Sequence, residues 1–273
     1  MDFSVITSVY RNDNPLFVKE AIDSILVNQS LKPSEIVLVV DGPVPDELSQ
    51  LISSYEESYP AIFHVIRLQE NKGLGNALKL GVENARNELI ARMDSDDISL
   101  PDRFRKQVEF LSQHPEVSIV GGQMTEFIDT PDNIIGSRIV PLDNASIYHF
   151  MKSRCALNHV TVMFRRQEIL DVGNYQDWFW NEDYYLWVRM MVHGCKFANI
   201  DDVLVNVRSG KDQYSRRGGR KYYESEKGIQ QLMLKHGIIS WPRYVYNVFG
   251  RWCIQIAMPN WLRGLIFRMM FRK

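Results

Sequence analysis

The stretch ELIARMDSDDISLPDR, Glu88 to Arg103, passes from an apolar, strand-like run directly into three carboxylates, Asp94, Asp96 and Asp97. In open α/β sheets, ligands bind outside the carboxyl ends of the strands. A strand that closes on clustered acids therefore reads as the rim of a site. Such acids repel one another unless a cation neutralises them. Mg2+ or Mn2+ does this with one or two carboxylates, completing its shell with phosphate oxygens and water. The same residues would equally make an exposed turn capping the helix that starts at Pro101. An EF-hand is excluded, because its glycine and distal glutamate are missing.

Working outward, continuous apolar runs alternate with amphipathic windows. Strands are expected at Phe3 to Val9, Glu35 to Asp41, Phe63 to Leu68 and Glu88 to Met93. Helices are expected at Pro15 to Asn28, Asp46 to Ser58, in NKGLGNALKLGVENA (residues 71–85), and from Pro101 to His114. That rhythm is the signature of a mostly parallel sheet flanked by helices on both faces. VSIVGGQMTEF (117–127) continues as a strand, after which the pattern loosens. DTPDNIIGS reads as a turn-rich connection, VTVMFRR as a strand, RQEILDVG as a short helix, and Asp183 to His193 as a helix stopped by Gly194.

The 273 residues suffice for one large domain with a C-terminal extension, and 45% hydrophobic content allows a real core. The net charge of −1 conceals an asymmetry: after Glu226 there are eight Lys and Arg and no Asp or Glu. Three cysteines without a short-spaced pair argue against a disulfide framework or zinc knuckle and fit a reducing compartment. MDFSVITSVYR reads as a strand rather than a leader, and Trp252 to Leu262 is too short to span a bilayer. These features point to a cytoplasmic protein with no nucleic-acid partner.

Six features in order, SVITSVYR, VVDG, NKGLGNALKLG, RMDSDDISLPDR, CALNHVTVMFRR and NEDYYLWVR, resemble the family-two inverting glycosyltransferases of the bacterial surface-polysaccharide type. The resemblance covers about the first 220 residues. It implies the GT-A fold, a Rossmann-like α/β sheet, and transfer of a sugar from a nucleotide-sugar donor. It divides the chain into residues 1–220, with a nucleotide-binding half (1–123) and an acceptor half (124–220), and a basic amphipathic tail (221–273).

Carried over residue by residue, the resemblance makes Asp41 the acceptor of a hydrogen bond from the nucleotide base, with Ser8 and Tyr10 beside it. Lys72 and Ser95 join the donor site. Asp94 and Asp96 match the outer positions of the Asp-x-Asp motif, Asp96 as ligand to Mn2+ or Mg2+ and Asp94 facing ribose and metal. Asp97 extends the motif toward the acceptor. Asp183 matches the catalytic base, with Glu182 as its fallback, and Arg216 and Arg217 resemble residues that close over the diphosphate. His159 is a candidate for the diphosphate side, or a structural histidine.

Asp183 and Glu182 also suit helix capping, and the two roles are compatible. Trp178 and Trp180 precede the proposed base, where aromatic faces would meet an acceptor sugar or pack into the core. The sequence departs from the family pattern at Val40, where an aspartate is usual, and at Arg11, where an asparagine is usual. The Gln-x-x-Arg-Trp motif of processive members is absent, which implies transfer of a single sugar, with UDP-galactose or UDP-glucose the donor implied by the family. The tail's aromatic and basic composition matches helices lying on anionic lipid, or a basic helix packed on the domain or at an oligomer interface; the first reading makes this a peripheral enzyme at the inner face of the plasma membrane, and the resemblance implies a polyprenyl-diphosphate-linked saccharide acceptor. A sugar nucleotidyltransferase would need a glycine-rich basic loop after the first strand, which SVYRNDNPLF does not supply. A silent nucleotide-sugar-binding scaffold would have no need of both Asp96 and Asp183.

Overall fold

A computed structural model describes residues 1–210 and 219–258. Its strands are β1 (Phe3–Val9), β2 (Glu35–Val40), β3 (Phe63–Arg67), β4 (Leu89–Arg92), β5 (Ile98–Ser99), β6 (Ile119–Phe127), β7 (Ile134–Arg138), β8 (Met163–Arg165) and β9 (Phe197–Arg208). Its helices are α1 (Pro15–Leu26), α2 (Asp46–Ser58), α3 (Leu74–Asn84), α4 (Arg103–Gln113), α5 (Asn144–Met151), α6 (Arg166–Asp171), α7 (Glu182–Val192), α8 (Arg220–Lys235) and α9 (Trp241–Trp252).

The strands form one sheet in the order β3-β2-β1-β4-β8-β6-β9-β5, with β7 added to β6. The first four are parallel, β8 runs antiparallel between β4 and β6, and β6 pairs in parallel with β9. This is the expected α/β architecture. Alternation along the strands feeds two cores. Phe3, Val5, Ile36, Leu38 and Val40 face α1, α2 and α4, whereas Ile6, Val37 and Ile90 face α3, α6 and α7. Burial on both faces is why these strands lack a polar side in the sequence.

Two connections set the site. Asn14 caps α1, its side chain accepting from Leu16 N, and Pro15 occupies the first turn. The loop from Tyr10 to Asp13 is thereby folded back over the end of β1. Gly42 holds φ +87°, and a Cβ there would stand 2.6 Å from Asn71 N, so only glycine lets the end of β2 approach the loop before α3.

Five features differ from the sequence expectation. Ile98–Ser99, just past the acids, form the short strand β5; residues 134–138, in and after the turn-rich connection, form β7; Asn144–Met151 is helical; VTVMFRR begins with a tight helical turn at His159–Thr161 before β8; and β9 is a twelve-residue strand. Asp201 and Asp202 interrupt the apolar run of β9 near the shifts in its register with β6, which hides the strand from a periodicity reading.

The proposed tail begins inside the core. Ile229 and Met233 of α8 are fully buried in the cluster that contains Tyr184, Leu186 and Trp187 of α7. Residues 259–273 lie outside the described residues.

Candidate active site

The ends of β2, β1 and β4 stand side by side, and each continues into site residues. Asp41 N donates to Val9 O (2.8 Å) and Met93 N to Ile6 O (3.0 Å), which pins the acidic segments to either side of β1. Asp41 is buried, and both its carboxylate oxygens are engaged: Lys72 N donates to Oδ1 (2.7 Å) and Gly73 N to Oδ2 (2.9 Å). Asp41 therefore fixes the loop that brings Lys72 to the site. Ser8 is half-buried near the end of β1, and Tyr10 is exposed just beyond it.

Past β4 the charges are less balanced. Asp94 is gripped by Arg92, whose Nη1 donates to Oδ2 (2.6 Å) and Nη2 to Oδ1 (2.5 Å). Arg92 is fully buried, and burial alone would favour loss of its proton. The charge and hydrogen bonds of Asp94 outweigh that, and its pKa lies above the ordinary arginine value. Asp96 keeps a face open to solvent although protein crowds its carboxyl. Burial, then the carboxylates of Asp94 and Asp13, raise its pKa to about 6, with Arg208 acting in the opposite sense.

Asp13 is a member that the sequence reading missed. Its Oδ2 accepts from Tyr10 N (3.1 Å) and from Ser95 Oγ (2.9 Å), and burial lifts its pKa to about 6. Nothing in the spacing of RNDN marks it; its place arises from the folding back of the loop. Ser95 is thus tied to that loop.

Asp97 turns inward. It is 2% exposed and accepts from the backbone N of Arg208 (2.8 Å), and burial together with Asp94 and Asp96 pushes its pKa well above the usual carboxylate range. Arg208 ends β9 between the rings of Phe17 and Phe127 and donates through Nε to Asp96 O (3.0 Å) and through Nη2 to Glu20. The acidic segment and the end of β9 are locked together just before residues 211–218. Arg216 and Arg217 fall within that interval, outside the described residues.

Glu182 and Asp183 open α7. Tyr184 N donates to Asp183 Oδ1 (2.7 Å), and the Cys155 thiol stands 3.9 Å from Oδ2. Burial, then Asp183, holds that thiol protonated, with its pKa near 12. Glu182 is pushed up to about 7, by burial first and the charge of Asp183 second, and it lies within the fields of both Arg92 and Asp94. The start of α7 and the acidic segment after β4 therefore share one electrostatic neighbourhood, and the charge of the buried Arg92 acts on both Asp94 and Glu182.

The remaining candidates are divided by their surroundings. His159 Nε2 is hydrogen-bonded to the Tyr175 hydroxyl (2.9 Å), with the Trp187 ring 6.0 Å away. Burial, and then Arg92, holds it neutral at physiological pH. Trp178 stacks on Tyr185 at 3.9 Å between centroids, and its Nε1 donates to Ser225 O (3.0 Å), so it joins α8 to α7. Trp180 is 48% exposed, stacks on Phe179, and holds φ +57°, a left-handed conformation uncommon for a bulky residue.

Among the described residues no three His, Cys, Asp or Glu side chains converge to hold an ion by themselves. The donor set nonetheless fits a small hard cation. Asp96 carries excess negative charge and an open face, with Asp94 beside it, and a cation of this kind takes its other ligands from phosphate oxygens and water.

A mostly parallel α/β sheet with acids at the ends of neighbouring strands, and a second acidic pair at the start of a helix, is the arrangement that the GT-A resemblance implies. The Glycosyl transferase family 2 model matches residues 4–173 and the Glycosyl transferase family group 2 model residues 89–272; the chain belongs to glycosyl transferase family 2. It is 38% identical, over 85% of both chains, to the amylovoran biosynthesis glycosyltransferase AmsE of Erwinia amylovora. It is 35% identical, over 99% of this chain and 97% of the other, to the UDP-Gal:alpha-D-GlcNAc-diphosphoundecaprenol beta-1,3-galactosyltransferase of Escherichia coli.

Two solved structures share the fold at 16% identity. S. aureus TarS 1-349 in complex with UDP-GlcNAc matches at a TM-score of 0.66 over 99% of this chain and 76% of the other. The mannosyltransferase PcManGT of Pyrobaculum calidifontis, in complex with GDP-Man and Mn2+, matches at 0.63 over 98% and 74%.

Proposed function

We propose that this glycosyltransferase moves one hexose from a UDP-sugar, with inversion, onto a saccharide carried on polyprenyl diphosphate, in surface-polysaccharide assembly at the inner face of the plasma membrane. UDP-galactose is the preferred donor and UDP-glucose the next. The similarity to a galactosyltransferase with a lipid-diphosphate acceptor supports the substrate classes. The observation that supports the reading is the shared electrostatic neighbourhood of Asp94, Arg92 and Glu182, which links the acidic segment to the carboxylate pair of α7.

In this reading Asp41, Lys72 and the ends of β1 and β2 hold the nucleotide, while Asp96, with Asp94 behind it, faces the diphosphate. A bound Mn2+ or Mg2+ would be held by Asp96 and supply Lewis-acid neutralisation of the leaving group. The acceptor hydroxyl oxygen bonds to the anomeric carbon as that carbon's bond to the diphosphate oxygen breaks. The electron pair leaves with the nucleoside diphosphate, and the hydroxyl proton passes to a carboxylate at the start of α7. General-base help of this kind contributes roughly 10² to 10⁴ in rate.

Asp183 is the base that family resemblance selects. A specific observation favours Glu182 as the alternative: its pKa of about 7 suits a group that takes and releases a proton near neutrality. Release of UDP from a donor panel, with and without a lipid-diphosphate saccharide, in wild type, Asp183→Asn and Glu182→Gln, tests both readings. Acceptor-dependent release should vanish in one variant and survive in the other. Acceptor-dependent release at wild-type rate in both would overturn the assignment of the base to this helix.

A further inference from the structure

Helix α9 is amphipathic in the reverse sense. A surface helix ordinarily turns its apolar stripe to the core and its polar side to water. Here Asn247 is buried, its Nδ2 donating to Lys152 O and to Gln230 Oε1, both at 2.8 Å. Arg251 pairs with Glu226 at 2.9 Å and donates to Ser153 O at 2.6 Å, and Gln255 of the following turn is buried against the same glutamate. The large apolar side chains face outward: Trp241 is 67% exposed, Tyr246 73%, Phe249 63% and Trp252 44%, with Val245 and Ile256 at 40% each. Trp241, Val245, Phe249, Trp252 and Ile256 recur at the three- and four-residue spacing that places them on one stripe.

A contiguous outward aromatic stripe signals an interaction surface. The polar clamp beneath it fixes which way the helix faces, because rotating it would unpair Asn247, Arg251 and Gln255. No helix among the described residues is long and apolar enough to cross a membrane. Charge selects the occupant. The last acid of the sequence, Glu226, is consumed in the half-buried clamp, while Lys235 at the end of α8 and Arg243 within α9 are exposed. Trp and Tyr at a basic margin suit the headgroup layer, where an aromatic body meets acyl chain and a polar edge meets water.

We propose that the outward face of α9 docks on an anionic lipid surface, lying in the headgroup plane with Trp241, Phe249 and Trp252 inserted. The benefit of docking rests on the lipid-linked acceptor proposed above. The clamp connects the stripe to Lys152 and Ser153, a short step from Cys155 and the Asp183 it faces, so a docked α9 gives the start of α7 a fixed orientation to the lipid plane.

The test is flotation of the full chain with phosphatidylglycerol–phosphatidylcholine vesicles, without donor or acceptor. Wild type should float, and less so as salt is raised. The combined Trp241→Ser, Phe249→Ser, Trp252→Ser variant should partition about tenfold less or weaker still. Arg243→Glu should lower partition on the anionic vesicles and leave it unchanged on phosphatidylcholine alone. Transfer to a water-soluble saccharide acceptor should be unaffected in all variants; should the triple variant lose it, Phe249→Ser alone and Arg243→Glu carry the comparison.

Equal flotation of wild type and variants would overturn the proposal, as would wild type that stays unbound. So would a wild-type dimer in sedimentation that the triple variant abolishes and vesicles do not compete with, since the stripe would then be a subunit contact. Flotation that behaves as expected beside absent transfer would leave the docking standing and remove the proposed acceptor instead.

Discussion

Asp41 and Asp96 stand on either side of β1, yet they are held in opposite ways. Asp41 is buried with both oxygens satisfied by the backbone N–H groups of Lys72 and Gly73. Asp96 sits among like charges, with a pKa raised to about 6 by burial and by Asp94 and Asp13. One carboxylate is complete as part of the fold; the other carries like-charge repulsion that Arg208 only partly offsets and a cation would relieve. In the proposed mechanism the first shapes the donor site and the second faces the diphosphate.

The sharpest way to break this contrast is substitution at the incomplete end. Asp96→Asn should lower metal-dependent transfer by about a thousandfold or more, because charge on the leaving group then goes uncompensated. Steady-state transfer measured across Mn2+ concentrations checks it, and the fold should be at least as stable, since a repelling charge is gone. Asp183→Asn, if Asp183 is the base, should lower transfer by roughly 10² to 10⁴ while leaving UDP affinity close to wild type. Calorimetric UDP binding beside the rate separates the two effects.

Arg92 and Asp94 sharpen the comparison through stability. Asp94→Ala leaves a fully buried guanidinium without its partner and should cost about 3 kcal/mol in chemical denaturation. Adding Arg92→Met should recover most of that loss, giving a large coupling energy in the double-mutant cycle. Additive losses would mean that the pair is not coupled.

Glu182 contributes to the pH response. With its pKa raised from 4.5 to about 7, the native state binds more protons than the unfolded chain across that interval. Stability should therefore fall as pH rises from about 4.5 through 7, and Glu182→Gln should lessen the slope, the remainder belonging to Asp13, Asp96 and Asp97, whose pKa values are also raised. If Glu182 is the base, acceptor-dependent transfer should rise over the same upper range. The smallest effect belongs to the complete end. Asp41→Asn replaces an accepting oxygen by a donor facing a backbone N–H and should cost about 1–3 kcal/mol, raising the donor KM more than it lowers kcat.

The same contrast governs how much could be read from the chain alone. Strands β1, β2 and β4 are buried on both faces, so continuous apolar runs announce them, and the acids that close β2 and β4 follow at once. The second half resists for identifiable reasons. Asp201 and Asp202 interrupt β9 at its irregular pairing with β6, β7 lies in a segment rich in turn residues, and α5 has only Ile147 and Met151 deeply buried. Asp13 escapes because its role depends on loop return, and Arg92 because its full burial against Asp94 is not marked by any pattern in the strand. Trp178 illustrates the converse. Its position before the acidic pair suggests a sugar platform, but the ring packs on Tyr185 and bonds to Ser225, which leaves Phe179 and Trp180 as the outward aromatics.

The central claim is that unmet negative charge at Asp96 receives a cation together with a nucleoside diphosphate. Calorimetric titration of Mn2+ into the protein with saturating UDP tests it most directly. The account predicts a single Mn2+ site that strengthens UDP binding in wild type and is lost in Asp96→Asn, with metal-free UDP binding retained. Mn2+ binding of equal strength in the variant, or UDP affinity indifferent to metal in the wild type, would contradict it.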